Sequence, residues 1–411
     1  MNSTERLVTN VRHAKLEDYL SIAGEECIQN IRSLAESLRG RRIQHINTSS
    51  QEGGVAEILT SLVPLLNQLG LKTEWYVMEV NPEFAEVTKR FHNIFHGLPL
   101  SVTRDMYDVY LEGVRSNQPL IDPAADFVVL HDPQPLGLAE VRPRFDGHWI
   151  WYCHVDPVEV GITLWEFLRP FAASCDASIY HMAEYSRRIT AKDFYLPPAV
   201  DPLSEKNREI SPEEQAAILS ELGIETDLPI ILQVSRFDRL KNPVGLVEAF
   251  RQVVRRIPCR LILAGGGAEE DPEVKQVLAE VKAAAADHPD IKILFLSPSS
   301  HLQINALQRA AAIVVQNSFR DSFGLTVTEA LWKQKPVVAS PVGGIRRQVI
   351  DYQTGLLAAG AEVLANRISY LLNHPDIGQE LGIRGKEYVR SQFILPVYLR
   401  TWLVILREIL K

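Results

Sequence analysis

Residues 310–340 read AAAIVVQNSFRDSFGLTVTEALWKQKPVVAS, and the order of apolar and polar residues here indicates the fold class. It begins with an apolar run at 312–315, short enough for a strand buried on both faces, and turns polar at Gln316. A loop then leads through Gly324 into 325–332, where apolar residues recur at helical spacing. A strand, a loop and a helix in this order predict an α/β fold with a ligand-binding crevice at the carboxyl end of the strand.

The start of the predicted helix suits an anion, because its first N–H groups have no partner within the helix and Gly324 allows close approach of the backbone. Asp321 and Glu329 flank this point. Two carboxylates fit beside a diphosphate only if they meet neutral hydroxyls, which sugars and riboses supply. The stretch therefore predicts a sugar-nucleotide site. The alternative makes Glu329 a first-turn carboxylate favoured by the helix dipole and Asp321 a solvated loop residue.

Bulk properties narrow the class of protein. A chain of 411 residues with 46% hydrophobic residues predicts two or three globular domains. The net charge of −8 offers no global field for nucleic acid or an anionic membrane, and the absence of a signal peptide or long apolar run favours the cytoplasm. Four isolated cysteines without a C-x-x-C pair are expected to be buried thiols: Cys27, Cys153, Cys175 and Cys259.

The first half of the chain alternates strands and helices. A strand at 42–47 leads into a polar loop that ends at Gly53-Gly54, and a helix closed by Gly70 follows. Gly54 has two interpretations: contact with a phosphate or sugar, or a turn that needs glycine for its backbone conformation. Further strands are predicted at 73–80, 127–130, 149–154 and 177–180, which indicates a parallel sheet wrapped by helices.

Polar side chains follow two of these strands. His131 ends one strand, and His154 and Asp156 follow another. In a doubly wound sheet such positions border the ligand crevice. A lone histidine is more often structural, so the functional interpretation depends on the rest of the chain.

A break in the periodic pattern at 197–212 marks a domain boundary. Beyond it the α/β rhythm resumes, with strands at 230–234, 260–264, 291–296 and 336–339 around the opening strand. The pattern predicts two Rossmann-like domains with parallel sheets facing a central cleft, at 1–200 and 201–390. A helix at 391–411 is expected to pack back toward the N-terminal domain.

Cations follow the strand at 230–234. Arg236 and Lys241 stand where this strand ends and a helix begins, and both residue types bind phosphates. The alternative is that Arg236 and Lys241 are solvated loop residues without a ligand. The prediction gains weight because the glycine triplet at Gly265, the Asp321 loop and Gly54 also follow strands.

At these residues the sequence resembles the retaining GT-B glycosyltransferases of family 4, above all the trehalose synthases that use a nucleotide sugar. The resemblance spans nearly the whole chain and is carried by EGGVAEILTSLVPLL, VVLHDPQPLGL, CHVDP, LWEFLRPF, LPPAVDPLSEKNREISPEE, QVSRFDRLKNP, LAGGG and FGLTVTEALWK.

The resemblance implies roles for individual residues. Arg236 and Lys241 bind the donor diphosphate, Glu329 binds the ribose hydroxyls, and Asp321 meets the donor sugar. The remaining expected contacts are the diphosphate and donor sugar at Gly54, Gly265, Phe323, Gly324 and Leu325, the base at Ser297, the reacting centre at His154, and the acceptor at His131 and Asp156.

Two positions depart from the family pattern. The family motif has glutamate at both ends of its E-x7-E, whereas this chain has the shorter Asp321 first. Tyr152 stands where a basic residue is expected, which affects the acceptor side. The shorter Asp321 therefore puts in question which donor sugar is used and how fast it is transferred.

The resemblance implies transfer of glucose from UDP-, ADP- or GDP-glucose to glucose with retention, and no required metal or other cofactor. It leaves open whether magnesium accompanies the diphosphate and whether the protein forms a homodimer. Three alternatives also stay open: a different acceptor, a trehalose phosphorylase, and a non-catalytic nucleotide-sugar binder. Glu329 argues against the phosphorylase, since a ribose contact has no purpose without a ribose.

Overall fold

The computed structural model describes residues 6–9, 11–12, 14–50, 53–267, 272–286 and 288–411, without the side chain of Pro272. The chain forms two compact units. Unit 1 comprises Met1–Pro198 and Leu395–Lys411, and unit 2 comprises Ala199–Ile394. Each unit is built on its own parallel sheet of six strands.

The sheet of unit 1 has the strand order β2-β1-β3-β4-β5-β6. Its strands are β1 Arg42–Asn47, β2 Lys72–Val77, β3 Phe127–His131, β4 His148–Cys153, β5 Ala177–Tyr180 and β6 Lys192–Tyr195. The helices are α1 Leu20–Ala23, α2 Glu25–Glu36, α3 Gly53–Gln68, α4 Pro82–Phe95, α5 Arg104–Ser116 and α6 Ile162–Ala173. The central strands are buried on both faces, because helices cover the sheet on each side.

The sheet of unit 2 has the order β12-β11-β10-β7-β8-β9. Its strands are β7 Ile230–Val234, β8 Arg260–Gly265, β9 Ile291–Phe295, β10 Ile313–Gln316, β11 Val337–Ala339 and β12 Leu356–Leu357. The helices are α7 Pro212–Glu221, α8 Pro243–Val254, α9 Pro272–Ala285, α10 His301–Ala310, α11 Leu325–Trp332, α12 Ile345–Gln348, α13 Ala361–Asn373 and α14 Pro375–Gln392. The last helix of the chain, α15 Leu395–Ile409, belongs to unit 1.

The predicted α/β class with two parallel sheets is confirmed. Two strands were missed, β6 and β12, and both lie at an edge of their sheet. An edge strand is half solvated and needs no continuous apolar run, so its sequence carries a weak signal. A third difference concerns the first glycine loop. Helix α3 begins at Gly53 itself rather than after Gly54, and Gln51 and Glu52 of the predicted loop lie outside the described residues.

The four cysteines are buried and unpaired with one another, as predicted. Within the described ranges, no helix combines the length and the hydropathy that a membrane span requires.

Candidate active site

Three loops of unit 2 lie side by side, because they follow the neighbouring strands β10, β7 and β8. Parallel strands bring their carboxyl ends to one edge of the sheet. The backbone joins two of these loops directly: Phe319 N–H donates to the Leu240 carbonyl at 2.7 Å. The prediction that the cationic loop and the Asp321 loop share one edge is confirmed.

Lys241 and Asp321 form an ion pair at this edge. The Lys241 ammonium donates to Asp321 Oδ2 at 2.8 Å, and the two side chains are 18% and 7% exposed. The same oxygen accepts hydrogen bonds from Gln316 Nε2 at 3.2 Å and Ser318 Oγ at 3.3 Å. The alternative of a solvated Asp321 is therefore wrong. The carboxylate is enclosed and its position is determined by three donors.

Arg236 is held much less firmly. Its side chain is 62% exposed, and its guanidinium lies 3.0 Å from Asp238 Oδ2. Asp238 also accepts from the Lys241 backbone N–H at 3.1 Å, which starts a 3₁₀ turn at Arg239–Lys241. An arginine that is this exposed keeps the freedom to swing onto an anion, although its partner Asp238 is buried.

The glycine loop after β8 is shaped by close backbone contacts. A side chain at Gly265 would place its Cβ 1.8 Å from the Ser235 carbonyl oxygen, and φ is +152° there. A Cβ at Gly266 would come 2.2 Å from the Leu296 carbonyl oxygen. Packing therefore requires both glycines whether or not a ligand is near. Ser297, after β9, is exposed, and its hydroxyl lies 2.7 Å from that of Ser299.

Gly324 is the N-cap of helix α11 and has φ at +80°, which explains why glycine stands there. The preceding residue, Phe323, is buried, and its ring centroid lies 5.5 Å from that of Phe393. Its carbonyl accepts a hydrogen bond from Gln348. Leu325 is half-buried in the first turn of the helix. The backbone at 323–325 is thus anchored from behind by side chains of the same unit.

Glu329 is the fifth residue of α11 and only 1% exposed, so the interpretation as a first-turn surface carboxylate is wrong. Glu329 Oε1 lies 3.0 Å from the Lys206 ammonium, and Oε2 accepts from Gln308 Nε2 at 3.0 Å. Lys333 is also buried, and burial lowers its pKa to about 7.

Unit 1 contains a chain of four histidines. His45 Nδ1 lies 2.9 Å from His131 Nε2, His131 Nδ1 lies 2.9 Å from His154 Nε2, and His154 Nδ1 lies 3.2 Å from His181 Nε2. Burial lowers the pKa of His45 to about 3, and burial together with the neighbouring imidazoles lowers the pKa of His131 and His154 well below the usual value. The rings of His45, His131 and His154 are therefore neutral at physiological pH.

Neutral rings in such a chain must share one tautomer, because each hydrogen bond needs one donor and one acceptor. Each of the three hydrogen bonds uses Nδ1 of one ring and Nε2 of the next. Both ring nitrogens of His154 are then engaged by other histidines, and this side chain is not a proton donor to a ligand.

The backbone of His154 is held by Asp132. Asp132 has φ at +68°, and its Oδ1 accepts from the His154 N–H at 2.7 Å. Burial raises the pKa of Asp132 to about 7, against the lowering effect of these backbone hydrogen bonds. Asp156 accepts from the Val158 N–H at 2.9 Å and so shapes a turn. Tyr152 is fully buried, and its ring stacks on His154 at 3.9 Å between centroids.

Sequence reasoning missed several of these side chains. Lys206, Gln308 and Lys333 surround Glu329, and His45 and His181 extend the histidine chain. Lys206 lies within PPAVDPLSEKNR, a segment with no generic Rossmann explanation, which is the one signal that could have drawn attention to it. In the described part of the chain, no three histidine, cysteine or acidic side chains converge as metal ligands would.

Comparison with known proteins adds the family. Residues 45–187 match the model described as the N-terminal domain of trehalose synthase, and residues 214–388 match that of glycosyl transferases group 1. The chain is 41% identical to trehalose synthase from Pyrococcus horikoshii over 401 residues, covering 96% of each chain. It is 28% identical to trehalose phosphorylase from Pleurotus pulmonarius, over 83% of this chain and 54% of that one.

A solved structure shares the fold. A UDP-forming α,α-trehalose-phosphate synthase from Burkholderia xenovorans superposes with a TM-score of 0.73 at 15% identity, over 90% of this chain and 100% of that one. At this identity the likeness shows the fold alone, and it confirms the predicted GT-B architecture.

Proposed function

The chain belongs to the trehalose synthase family of glycosyltransferases, and we propose that it transfers glucose from a nucleotide-glucose donor to glucose, with retention, to form α,α-trehalose. The observation that carries the proposal is the 41% identity to a trehalose synthase over 96% of both chains. The arrangement of charged residues at the edge of the unit 2 sheet supports it.

In the proposed donor site, Lys241 and Arg236 neutralise the diphosphate. The backbone at Phe323, Gly324 and Leu325 faces the diphosphate and the donor sugar, as Gly265 does from the next loop. Two features support these roles. Lys241 is placed by its ion pair with Asp321, and the exposed Arg236 has room to close on an anion.

The two carboxylates meet neutral hydroxyls in this proposal. Asp321, with Lys241 on its Oδ2, accepts from the donor sugar, and Glu329 accepts from the ribose. A carboxylate paired with a lysine no longer repels a neighbouring diphosphate, so the Lys241 and Lys206 contacts support both assignments. Ser297 is proposed to approach the base.

In unit 1 we assign His154 to contact with the transferred sugar and His131 and Asp156 to the acceptor side, with Gly54 near a phosphate. Because His154 is neutral and hydrogen-bonded through both ring nitrogens, its role is to shape and line the site. The geometry of the histidine chain makes His131 a support for His154 as well.

The proposed chemistry needs no protein nucleophile and no protein-bound metal. The C1–O bond to the diphosphate breaks with its electron pair going to the leaving group, and the acceptor hydroxyl forms the new C1–O bond on the same face. A diphosphate oxygen takes the hydroxyl proton. Lys241 and Arg236 stabilise the charge that develops on the leaving oxygen, which is electrostatic catalysis by preorganised cations.

The test is product analysis by NMR. The purified protein is incubated with glucose and, in separate reactions, UDP-glucose, ADP-glucose, GDP-glucose or α-glucose 1-phosphate. The proposal expects an α,α-1,1-linked disaccharide and one equivalent of released nucleoside diphosphate with at least one nucleotide sugar. Lys275→Met, on an exposed side chain of α9, is a control expected to match the wild type.

The second candidate, a trehalose phosphorylase, is favoured by the similarity to the Pleurotus pulmonarius enzyme. It predicts the disaccharide from α-glucose 1-phosphate and none from a nucleotide sugar. If product forms only with an acceptor sugar other than glucose, the proposed donor site stands and glucose is replaced as the proposed acceptor. Binding of a nucleotide sugar without turnover on any acceptor would favour the non-catalytic binder and overturn the proposal.

A further inference from the structure

Glu329 is buried among charged and amide side chains of unit 2. Its carboxylate is 1% exposed and is held by one partner on each oxygen, Lys206 on Oε1 and Gln308 on Oε2. Removing a carboxylate from water is costly unless opposite charge and hydrogen bonds compensate. The chain provides both compensations with side chains from two other segments, which goes beyond what helix packing requires.

The orientation of the Gln308 amide follows from its second partner. The Lys333 ammonium donates to Gln308 Oε1 at 2.8 Å and to Asn207 Oδ1 at 2.9 Å. An ionised carboxylate can only accept, so Gln308 turns its NH₂ toward Glu329 and its oxygen toward Lys333. Lys333 therefore holds the Gln308 amide in the orientation that donates to Glu329 Oε2.

Lys206 is positioned by the backbone around it. Asn305 Nδ2 donates to the Glu205 carbonyl at 2.8 Å and to the Arg208 carbonyl at 2.9 Å, so helix α10 holds the chain on both sides of Lys206. The Lys206 side chain is 12% exposed and reaches Glu329 Oε1 at 3.0 Å. The lysine is thus presented from a firmly anchored segment, and its approach to Glu329 is a built feature of the fold.

The carboxylate retains acceptor capacity in this arrangement. An ionised carboxylate has about four lone-pair sites, two on each oxygen. One site on each oxygen is used, by Lys206 and by Gln308. Among the described side chains this leaves capacity for one more donor on each oxygen, which is the number that the two neighbouring hydroxyls of a vicinal diol supply.

We propose that Lys206, together with Lys333 acting through Gln308, positions the Glu329 carboxylate to accept both hydroxyls of the nucleoside ribose. This inference rests on the proposed function, in which Glu329 meets the ribose of the donor. Lys206 and Lys333 are positioning residues, and neither touches the ligand. Lys206 also cancels the charge of Glu329, so that a carboxylate can stand near the donor diphosphate without repelling it.

The test compares two ligands by isothermal titration calorimetry. One is the nucleoside diphosphate that binds the wild type most tightly among UDP, ADP and GDP, and the other is its 2′,3′-dideoxy form. Their affinity ratio is the ribose preference. For the wild type we expect a preference of about tenfold or more, because hydrogen bonds to charged groups are worth about 1.5–3 kcal/mol.

Lys206→Met keeps the length of the side chain and removes its charge. We expect this variant to lose affinity for the ribose form and to retain its affinity for the dideoxy form, so that the preference falls to within about threefold of unity. A purely structural loss would weaken both ligands equally and leave the preference unchanged. Lys275→Met, an exposed lysine of the same unit, is expected to behave as the wild type.

The outcomes separate two failures. If the wild type shows no ribose preference, the Glu329 contact in the proposed function is wrong, and this inference is overturned with it. If the wild type shows the preference and Lys206→Met retains it, only the positioning role of Lys206 is overturned. Should Lys206→Met bind neither ligand, Lys206→Gln is measured in the same way, since it keeps a donor without the charge, and its ribose preference decides.

Discussion

The Lys241 ammonium lies 2.8 Å from Asp321 Oδ2, although the two residues belong to loops that follow different strands. The pair holds a cation in place at the edge of the unit 2 sheet. It also encloses a carboxylate that would otherwise be buried without an opposite charge, since Asp321 is 7% exposed. One contact therefore serves both the stability of the loops and the proposed donor site.

We expect Lys241→Met to lower the free energy of unfolding by about 2–3 kcal/mol, because a carboxylate left buried without its cation is penalised. The double variant Lys241→Met, Asp321→Asn should recover most of this loss, since it removes both charges. Urea denaturation of the two single variants and the double variant measures the effect. A double variant no more stable than Lys241→Met would contradict the coupling. Turnover should stay low in the double variant, because the cation is still missing.

We expect Arg236→Met to lower the free energy of unfolding less than Lys241→Met does, since Arg236 is 62% exposed and Asp238 keeps the Lys241 N–H as a donor. Its affinity for a nucleoside diphosphate should fall about tenfold, from the loss of a charged contact to phosphate. Calorimetry with UDP, ADP or GDP measures the affinity. Arg239→Met is the matched control, because Arg239 belongs to the same loop and pairs on the surface with Glu280 at 2.7 Å. Equal losses in both variants would show a general effect of loop charge.

The histidine chain predicts acid lability in unit 1. Burial lowers the pKa of His45 to about 3, so between about pH 3 and 6.5 the unfolded chain binds a proton that the folded chain does not. The stability that this depressed pKa contributes is present above pH 6.5 and is lost as the pH falls. His45→Phe should reduce the dependence of unfolding free energy on pH by about 1.4 kcal/mol per pH unit below 6.5.

Urea denaturation of the wild type and His45→Phe between pH 5 and 7.5 checks this prediction. The variant should be less stable at pH 7.5, because His131 Nε2 loses its partner, and the difference should shrink toward pH 5. His374→Gln, on an exposed side chain, should follow the wild type at every pH. Parallel pH curves for the wild type and His45→Phe would show that His45 titrates in the folded state.

We expect Gly265→Ala to destabilise unit 2 by about 2 kcal/mol more than Gly360→Ala, as overpacking costs about 1–3 kcal/mol. Both glycines have positive φ, at +152° and +87°. A Cβ at Gly265 meets the Ser235 carbonyl oxygen at 1.8 Å, whereas a Cβ at Gly360 meets nothing within 4 Å. Thermal or urea denaturation compares the two variants. Equal losses would mean that backbone conformation, and not the close approach, requires Gly265.

Local patterns in the sequence were sufficient for the interior elements. Strand β7 and helix α11 have the predicted bounds, Ile230–Val234 and Leu325–Trp332. A buried strand must be apolar throughout, and a packed helix must repeat its apolar positions. Both patterns can therefore be recognised within a short segment of the sequence. The edge strands β6 and β12 escaped prediction because a half-solvated strand is under no such requirement.

For the candidate site, the sequence predicted only which loops follow the carboxyl ends of the strands. The topology of a parallel sheet brings the loops of Lys241 and Asp321 together, and the sequence carries that topology in its alternation of strands and helices. The partners of the individual side chains were not predictable. The position of Glu329 beside the predicted helix start gave no sign that Gln308 of α10 and Lys206 contact its carboxylate.

Local sequence patterns were sufficient to predict the α/β class, the interior strands and helices, the burial of the four cysteines and the loops that follow the sheet strands. These features depend on periodicity and on residue type at nearby positions. Three contacts became visible only in the tertiary structure. Lys241 pairs with Asp321, Lys206 and Gln308 each contact one oxygen of Glu329, and four histidines form one hydrogen-bonded chain. Those contacts join residues far apart in the chain, so their geometry exists only once the strands and helices have packed.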